Sequence, residues 1–333
     1  MNKSIKLSLF LLFISALSIP AWSQKVGLLM DSYVIDRWYL DQRLFQKKVE
    51  ELGGQCLVEV PYGDVDEQVK LGKKLVDEGI DVLVMVPTDA KKAVEIVGYA
   101  KSAGVPVISY DRLVLSDKID YYISYDNLTV GKMQAQYAVD HAKGGNYLLI
   151  NGPTSDNNAI LFREGQLEAL QPYIKVGKVE VISDVVLDNW SELEALIKID
   201  EIFANLKKKP DAIIAANDAL ARGTMQALPP EMLKHVLITG QDAELEAIKY
   251  IISGKQSMTI YKPIQPLAFK AAEIAMMLGK DEQPTNEDIV PLKNGDITVN
   301  AILLTPVLVD KTNYRETVVQ DGHISLSEVM ENK

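Results

Sequence analysis

The sequence predicts an α/β protein of two lobes, each a parallel sheet flanked by helices in a doubly wound arrangement. Strand-like and helix-like segments alternate along the chain after its first two dozen or so residues. The strand-like segments are continuous runs of Val, Ile and Leu, which indicate strands covered on both faces. The many strand–helix steps exceed one compact open sheet. The chain of 333 residues, 47% of them hydrophobic, has enough apolar mass for two cores.

The start of the chain has the pattern of a signal peptide that is cleaved near Ser23. Lys3 and Lys6 form a positive start, and the apolar run 7–19 is too short to span a bilayer comfortably. Ala21 and Ser23 then occupy the two positions that signal peptidase reads. A membrane anchor is the alternative, but no second apolar stretch of spanning length follows. No cysteine stands directly after the run, which disfavours a lipid-anchored lipoprotein.

The first half of the remaining chain alternates strands with helices. Trp38, Phe45 and Val49 recur at helical spacing in the first predicted helix, and two glycines close it. The predicted strands are KVGLLMD (25–31), CLVEV (56–60), DVLVMVP (81–87), VPVISYD (105–111) and YYISY (121–125), and the helices are RWYLDQRLFQKKVEELGG (37–54), DEQVKLGKKLVDEG (66–79) and DAKKAVEIVGYAKSAG (89–104).

The second half repeats the alternation. The predicted strands are NYLLING (146–152), VEVISDVV (179–186), DAIIAAND (211–218), HVLITGQD (235–242) and SMTIYKP (257–263), and the helices are NNAILFREGQLEALQPYI (157–174), SELEALIKIDEIFANLKKK (191–209) and AELEAIKYIISGK (243–255). VPVISYD and HVLITGQD echo each other weakly, since each is an apolar strand that ends in a polar, acidic step. This similarity does not establish an internal repeat.

Charge and cysteine content narrow the possible partners. The formal net charge is −11, and cleavage of the signal peptide would make it more negative by removing two lysines. Such a chain repels phosphate backbones and anionic membrane surfaces, so nucleic acid is a poor partner. The single cysteine, Cys56, lies in an apolar run, where a buried and inert thiol is expected. Export without disulfides suits a bacterial periplasm.

Polar residues follow nearly every predicted strand, and in parallel α/β sheets ligands bind outside these carboxyl ends. The residues are Asp31, Arg37, Trp38, Asp111, Arg112, Asp126, Asn127, Asp156, Asn157, Asn158, Asp188, Trp190, Asn217, Asp218, Gln241, Asp242 and Lys262. Each has a simpler explanation: Asp or Asn after a strand usually caps the next helix, Asp111 and Arg112 could form a surface ion pair, and Trp38 could be core.

The set taken together favours a neutral polyol as ligand. Both lobes carry acids, amides and cations at strand ends, together with Trp38 and Trp190, the two tryptophans that follow the signal peptide. Sugar hydroxyls donate to carboxylate and amide oxygens and accept from Arg, Lys and Asn nitrogens. The apolar faces of a sugar ring pack on flat aromatic surfaces.

Catalytic and cofactor motifs are lacking. His141, His235 and His323 are scattered along the chain. The sequence has no G-x-S-x-G elbow, no H-E-x-x-H motif, no phosphate-binding P-loop, no dinucleotide fingerprint and no EF-hand loop. We therefore expect neither an enzyme nor a metal or cofactor protein. A glycosidase-type pair of catalytic carboxylates remains an alternative, because sequence alone cannot show whether two acids lie on either side of a glycosidic bond.

Seven segments resemble the ribose/galactose-type (type I) periplasmic sugar-binding proteins of ATP-driven importers, and their xylose branch in particular. They are RWYLDQRLFQKKVEELG, SYDRL, YYISYDNLTVGKMQAQ, GPTSDNNAILFREGQL, ANDALARGTMQAL, TGQDAELEAIKYI and SMTIYKPI. The resemblance extends from the first strand to about Gly322. It implies two Rossmann-like lobes that close on one sugar, with a three-segment hinge near Asp126, Lys262 and Leu303.

The resemblance also implies lobe boundaries and site residues. The N-terminal lobe would comprise 24–126 and 262–303, and the C-terminal lobe 127–261 and 304–333. The implied ligand-binding residues are Arg37, Trp38, Asp111, Arg112, Asp156, Asn158, Trp190, Asn217, Asp242 and Lys262.

The leading functional prediction is a monomeric periplasmic receptor that captures xylose and delivers it to the membrane permease of an ABC importer. A sensor of the same fold, which presents its closed form to a histidine kinase or chemotaxis receptor, is the alternative. A sugar-responsive repressor is disfavoured, because the chain begins with a signal peptide and has no helix-turn-helix segment. A periplasmic sugar-modifying enzyme would reveal itself by turnover.

Overall fold

A computed structural model describes residues 23–33 and 37–331. The predicted signal peptide, residues 1–23, lies outside this range except for Ser23. Within the described residues, no helix is both long enough and apolar enough to cross a bilayer.

Strands and helices alternate through most of the described chain. The strands are Lys25–Leu29 (β1), Gln55–Glu59 (β2), Val82–Met85 (β3), Val107–Tyr110 (β4), Tyr121–Tyr125 (β5), Gly145–Asn151 (β6), Val179–Val186 (β7), Ala212–Ala215 (β8), Leu237–Ile238 (β9), Met258–Tyr261 (β10), Val290–Asn294 (β11), Ile297–Leu304 (β12) and Val307–Asp310 (β13). The helices are Arg37–Glu51 (α1), Val65–Asp77 (α2), Val94–Ser102 (α3), Asn127–Ala142 (α4), Asn157–Lys175 (α5), Glu192–Asn205 (α6), Asp218–Ala227 (α7), Pro230–Leu233 (α8), Leu245–Ser253 (α9), Ile264–Leu278 (α10) and Leu326–Met330 (α11).

These strands form two main sheets and one small one. The first has the order β11-β12-β5-β4-β3-β1-β2, and only the pairing of β11 with β12 is antiparallel. The second has the order β7-β6-β8-β9 and is parallel throughout. The strands β10 and β13 form an antiparallel pair. The predicted architecture of two doubly wound sheets is confirmed.

The central strands of each main sheet are buried on both faces, as the continuous apolar runs predict. In β3, Val82 and Val84 pack into one core, whereas Leu83 and Met85 pack into the core on the opposite face. The second sheet repeats this arrangement with a core on either side of β6. Successive side chains of a strand point to opposite faces, so a strand buried on both sides must be apolar at every position.

The chain passes three times between the first main sheet and the part of the molecule that holds the second main sheet and the β10–β13 pair. The first passage follows β5 at Asp126, which caps α4 by accepting from the Thr129 amide at 3.0 Å. The second follows β10, after which α10 packs into a core of the first sheet. The third joins β12 of the first sheet to β13. These passages lie close to the three predicted hinge positions.

The structure departs from the predicted elements in a few places. The helix predicted from 89 begins at Val94 in the structure. A hydrogen-bonded turn precedes it, in which the Asp89 carboxylate accepts from the amides of Lys91 and Lys92. The hairpin β11–β12 lies outside the predicted strands, although its two-residue turn, Gly295–Asp296, has a sequence typical of hairpins. Cys56 is partly buried, and burial raises the pKa of its thiol to about 12, so the thiol stays protonated.

Candidate ligand-binding site

One cavity lies where the carboxyl ends of the strands from both main sheets meet. It is lined by all ten predicted residues and by two others, Phe162 and Gln241. The ten are Arg37, Trp38, Asp111, Arg112, Asp156, Asn158, Trp190, Asn217, Asp242 and Lys262. Every one of the ten stands just past a strand or in the first turn of the helix that follows it. The topology of parallel sheets therefore gathers residues that are more than 200 positions apart.

The side contributed by the first sheet is built around the indole of Trp38. This ring is buried in the first turn of α1, and the guanidinium carbons of Arg37 and Arg112 lie 4.7 and 5.4 Å from its centroid. Cations placed over an indole face are attracted by the ring quadrupole. Trp38 is thus both core and cavity wall, and it helps to fix two of the three cations of the site.

Asp111 stands in left-handed backbone conformation, with φ of +58°. Its amide donates to the Ile123 carbonyl at 2.8 Å, and its own carbonyl accepts from the hydroxyls of Ser124 and Tyr122 at 2.6 and 3.0 Å. These bonds offset the strain of a positive φ in a residue with a side chain. The turn points the carboxylate into the cavity instead of capping a helix or facing solvent.

The Asp111 carboxylate is ionised although it is buried. Burial alone would raise its pKa, but Arg37, Lys262 and Arg112 outweigh burial and hold the pKa below its ordinary value. Nη2 of Arg37 lies 3.0 Å from Oδ2. Within the described part of the chain, Oδ2 has no hydrogen-bond donor in acceptable geometry, and neither Trp38 Nε1 nor Gln241 Oε1 has a partner. A ligand rich in hydroxyl groups would meet these needs.

The second sheet contributes residues that serve as helix caps and line the cavity at the same time. Asp156 caps α5 by accepting from the Asn158 amide at 2.9 Å, and Asn217 caps α7 by accepting from the Leu220 amide at 2.9 Å. The capping explanation and the ligand-binding explanation are therefore compatible at these positions. A cap that uses one oxygen leaves its other polar atom directed elsewhere.

Trp190 closes the second side of the cavity. Its Nε1 donates to Asp156 Oδ2 at 3.0 Å, and its ring lies edge-on to Phe162 at 6.3 Å. A Cβ atom added to Gly152 would come within 2.5 Å of the indole, so only glycine lets this ring lie against the end of β6. Nζ of Lys262 lies 5.6 Å from the centroid of Phe162.

Phe162 and Gln241 extend the predicted set. Phe162 lies one helical turn after Asn158 on α5, so spacing along the helix was the signal that could have identified it. Gln241 directly precedes Asp242 and was among the polar residues noted at strand ends. The Gln241 amide nitrogen donates to Asp242 Oδ1 at 3.2 Å.

Asp242 also stands at positive φ, +97°, and its amide donates to the Ile260 carbonyl at 2.8 Å. Its Oδ1 lies 3.8 Å from both Arg37 Nη1 and Lys262 Nζ. Asp111 shares two of these features: its φ is also positive, and its amide also donates to the strand that follows it in the chain. The weak echo between VPVISYD and HVLITGQD thus corresponds to two equivalent turns, one at each main sheet.

The residues that line the cavity carry equal numbers of opposite charges. Three cations, Arg37, Arg112 and Lys262, face three carboxylates, Asp111, Asp156 and Asp242. Arg112 Nε lies 2.9 Å from Asp156 Oδ2, and its Nη1 lies 3.0 Å from Asp31 Oδ2. Asn158 Nδ2 donates to Asp111 Oδ1 at 3.2 Å. Such balanced, buried pairs suit an uncharged ligand, because a net charge would be left without a partner.

A second cavity of about 480 Å³ adjoins the first, and Arg112, Asp156 and Trp190 line both. Among the described residues, no group of three or more His, Cys, Asp or Glu side chains is arranged to hold a metal ion.

Comparisons with known proteins agree with this architecture. The periplasmic binding protein domain model matches residues 26–283. The chain is 42% identical to the D-xylose-binding periplasmic protein of Haemophilus influenzae over 299 residues, 90% of each sequence. It is 41% identical to the D-xylose-binding periplasmic protein of Escherichia coli over 306 residues, 92% of each sequence.

A solved structure gives the same picture. The carbohydrate transporter solute-binding protein of Chloroflexus aurantiacus, in complex with D-glucose, matches with a TM-score of 0.85 at 32% identity, covering 92% of this chain and 98% of that one. The described chain therefore belongs to the periplasmic binding protein family, with the type I fold of its sugar-binding members.

Proposed function

We propose that this protein binds a monosaccharide, D-xylose above other sugars, in the cavity between its two lobes and delivers it to an ABC importer. The observation that carries the proposal is the convergence of three cations, three carboxylates and two indoles in one buried cavity. The ten predicted residues are proposed as the ligand-binding set, with Phe162 and Gln241 added to it.

The chemistry of this set suits a pyranose. Each hydroxyl of a sugar can donate to one carboxylate and accept from one cation or amide, and charged partners make such bonds strong. Trp38 and Trp190 supply flat apolar surfaces for the ring faces. The cavity lining carries equal numbers of opposite charges, and an uncharged ligand adds no charge that would need a partner there.

The choice of xylose rests on the two relatives whose names specify it, at 41–42% identity over at least 90% of the chain. The D-glucose bound in the Chloroflexus protein supports an aldopyranose in general. Those relatives are named as periplasmic proteins, so we place this protein in the periplasm and propose residues 1–23 as its signal peptide. We propose that it acts as a monomer and does not turn its ligand over.

We propose lobe boundaries that follow the three chain passages. Residues 24–126 and 262–303 would form one lobe, and residues 127–261 and 304–333 the other, with hinge segments near Asp126, Lys262 and Leu303. The packing of α10 into a core of the first sheet supports the return of the chain at Lys262.

Calorimetry against D-xylose, L-arabinose, D-ribose and D-glucose tests the function. We expect D-xylose to bind most tightly with one site per chain, and the same sugar to raise the melting temperature by mass action. A protein that binds a hexose but no pentose would contradict the substrate proposal. NMR spectra of the sugar after prolonged incubation would contradict the binding role if a new product appeared.

A further inference from the structure

The guanidinium of Arg37 is held by a carboxylate outside the proposed ligand-binding set. Nε and Nη2 of Arg37 lie 3.1 and 3.4 Å from Oδ2 and Oδ1 of Asp41, one turn further along α1. The Tyr110 hydroxyl donates to Asp41 Oδ1. Resting on the proposed function, we infer that Asp41, held by Tyr110, is a positioning residue that orients Arg37 toward the sugar.

Asp41 and Tyr110 have no access to the ligand themselves. Each is 1% exposed, and neither lines the cavity. A buried carboxylate is costly unless it is paired and hydrogen-bonded. Burial raises the pKa of Asp41, while Arg37 and the Tyr110 hydroxyl act in the opposite direction. A fully buried acid behind a ligand-binding cation therefore needs a reason, and orienting that cation supplies one.

The contact with Asp41 determines which nitrogen of the Arg37 guanidinium remains available to a ligand. The guanidinium is planar, so a carboxylate on its Nε–Nη2 edge fixes the direction of Nη1. Nη2 also faces Asp111 Oδ2 at 3.0 Å, so that nitrogen serves two carboxylates. Nη1 lies 3.8 Å from Asp242 Oδ1, beyond hydrogen-bond distance. Nη1 is therefore the nitrogen directed at a ligand oxygen.

The backbone couples the same groups. Tyr110 is the last residue of β4, and the next residue is Asp111 at its left-handed turn. One dipeptide thus contacts both Asp41 and Arg37, so the positions of helix α1 and of the end of β4 depend on each other. Without Asp41, the long side chain of Arg37 would regain rotamer freedom that binding must then remove.

The same construction recurs at Arg112. Its Nη1 lies 3.0 Å from Asp31 Oδ2, and Asp31 Oδ1 accepts from the Thr88 hydroxyl at 2.8 Å. Each guanidinium of the site is therefore paired with a carboxylate that belongs to none of the ten ligand-binding residues and that accepts from a neutral hydroxyl. This recurrence supports positioning, because an isolated structural ion pair would have no reason to appear twice in one site.

A double-mutant cycle tests the inference. We expect Asp41→Asn, which keeps the side-chain volume, to weaken xylose binding at least about tenfold, since a charge-assisted bond to Arg37 is lost. In an Arg37→Lys background, which lacks the planar fork, the same substitution should change the dissociation constant by no more than about twofold. Glu51→Gln is the matched control. It removes the exposed i,i+4 partner of Lys47 on the same helix and should leave binding unchanged.

Two results would overturn the inference. One is wild-type affinity in folded Asp41→Asn protein. The other is an equal loss in both backgrounds, which would mean that Asp41 acts on the fold and not through Arg37. Circular dichroism and denaturant midpoints establish folding. If Asp41→Asn does not fold, or Arg37→Lys binds too weakly to titrate, xylose binding by Tyr110→Phe tests the inference instead. It keeps the ring, so unchanged binding overturns the inference and a severalfold loss supports it.

Failure of the proposed function can be distinguished from failure of this inference about Asp41. If the wild-type protein bound a sugar other than xylose, the substrate proposal would fail, and the cycle would be run with the sugar that binds.

Discussion

Two of the three cavity carboxylates, Asp111 and Asp242, stand in a backbone region that residues with side chains rarely occupy. Strain of this kind persists only where surrounding bonds hold it. At Asp111 these bonds come from Ile123, Ser124 and Tyr122. The residue is thus fixed before ligand arrives, and its carboxylate does not have to be ordered on binding.

We predict that Asp111→Asn lowers xylose affinity at least about tenfold, because a charged hydrogen bond contributes roughly 1.5–3 kcal/mol. Asn is one of the few residues that tolerates a left-handed backbone, so the turn should survive. Calorimetry measures the affinity, and thermal unfolding checks the fold.

Asp64→Asn is the control for this substitution. Asp64 is an exposed N-cap that accepts from the Glu67 amide at 2.8 Å, and Asn caps nearly as well. This variant should bind as the wild type does. Wild-type affinity in folded Asp111→Asn protein would remove Asp111 from the site.

At the scale of elements, the helices α4 and α5 pack through glycines and thereby place part of the site. A Cβ on Gly131 would lie 2.0 Å from the Phe162 carbonyl oxygen, and one on Gly165 would lie 2.1 Å from the Leu128 carbonyl oxygen. The backbones therefore approach closely enough for Asn127, at the start of α4, to donate to Asn158 Oδ1 at 2.9 Å.

We predict that Gly131→Ala destabilises the protein by about 1–3 kcal/mol, because the methyl group meets backbone that cannot move aside cheaply. Xylose affinity should fall as well, since α5 carries Asn158 and Phe162. Urea unfolding at 25 °C measures stability, and calorimetry measures binding.

Gly98→Ala provides the contrast. Gly98 lies within α3, is exposed, and has no atom within 4 Å of an added Cβ. There the alanine should stabilise the protein by up to about 1 kcal/mol through helix propensity. Equal effects of the two substitutions would refute the close-packing argument.

At the scale of the whole molecule, the two sides of the site contact each other directly. Arg112 pairs with Asp156 at 2.9 Å, and the Ala90 amide donates to the Ser155 carbonyl at 2.9 Å. Most of the cavity residues are buried. Separation of the lobes would expose them to a ligand, and the three chain passages are where such a motion would concentrate.

We predict that saturating xylose reduces the radius of gyration measured by small-angle scattering, while each lobe keeps its internal structure. A sugar that does not bind in calorimetry should leave the radius unchanged. The same radius with and without xylose would contradict closure on ligand, or would show that the free protein is already closed in solution.

The local pattern of the chain determined much of the fold. Continuous apolar runs identified strands such as β3 and β6, and periodic apolar residues identified α1, because these signals depend only on neighbours along the chain. The same pattern marked the strand ends where polar residues gather. The resemblance to known binding proteins, and not the pattern, selected ten residues from that longer group.

Only the tertiary structure decided which strand-end residues share one cavity. Asp156 lines the cavity and caps a helix, whereas Asp218, equally polar in the sequence, is buried behind it with Thr259 and Gln256. Asp41 was not singled out by the sequence pattern, and the structure places it behind Arg37. The physical reason is that contacts between residues distant in sequence depend on how sheets and helices pack, which local periodicity does not encode.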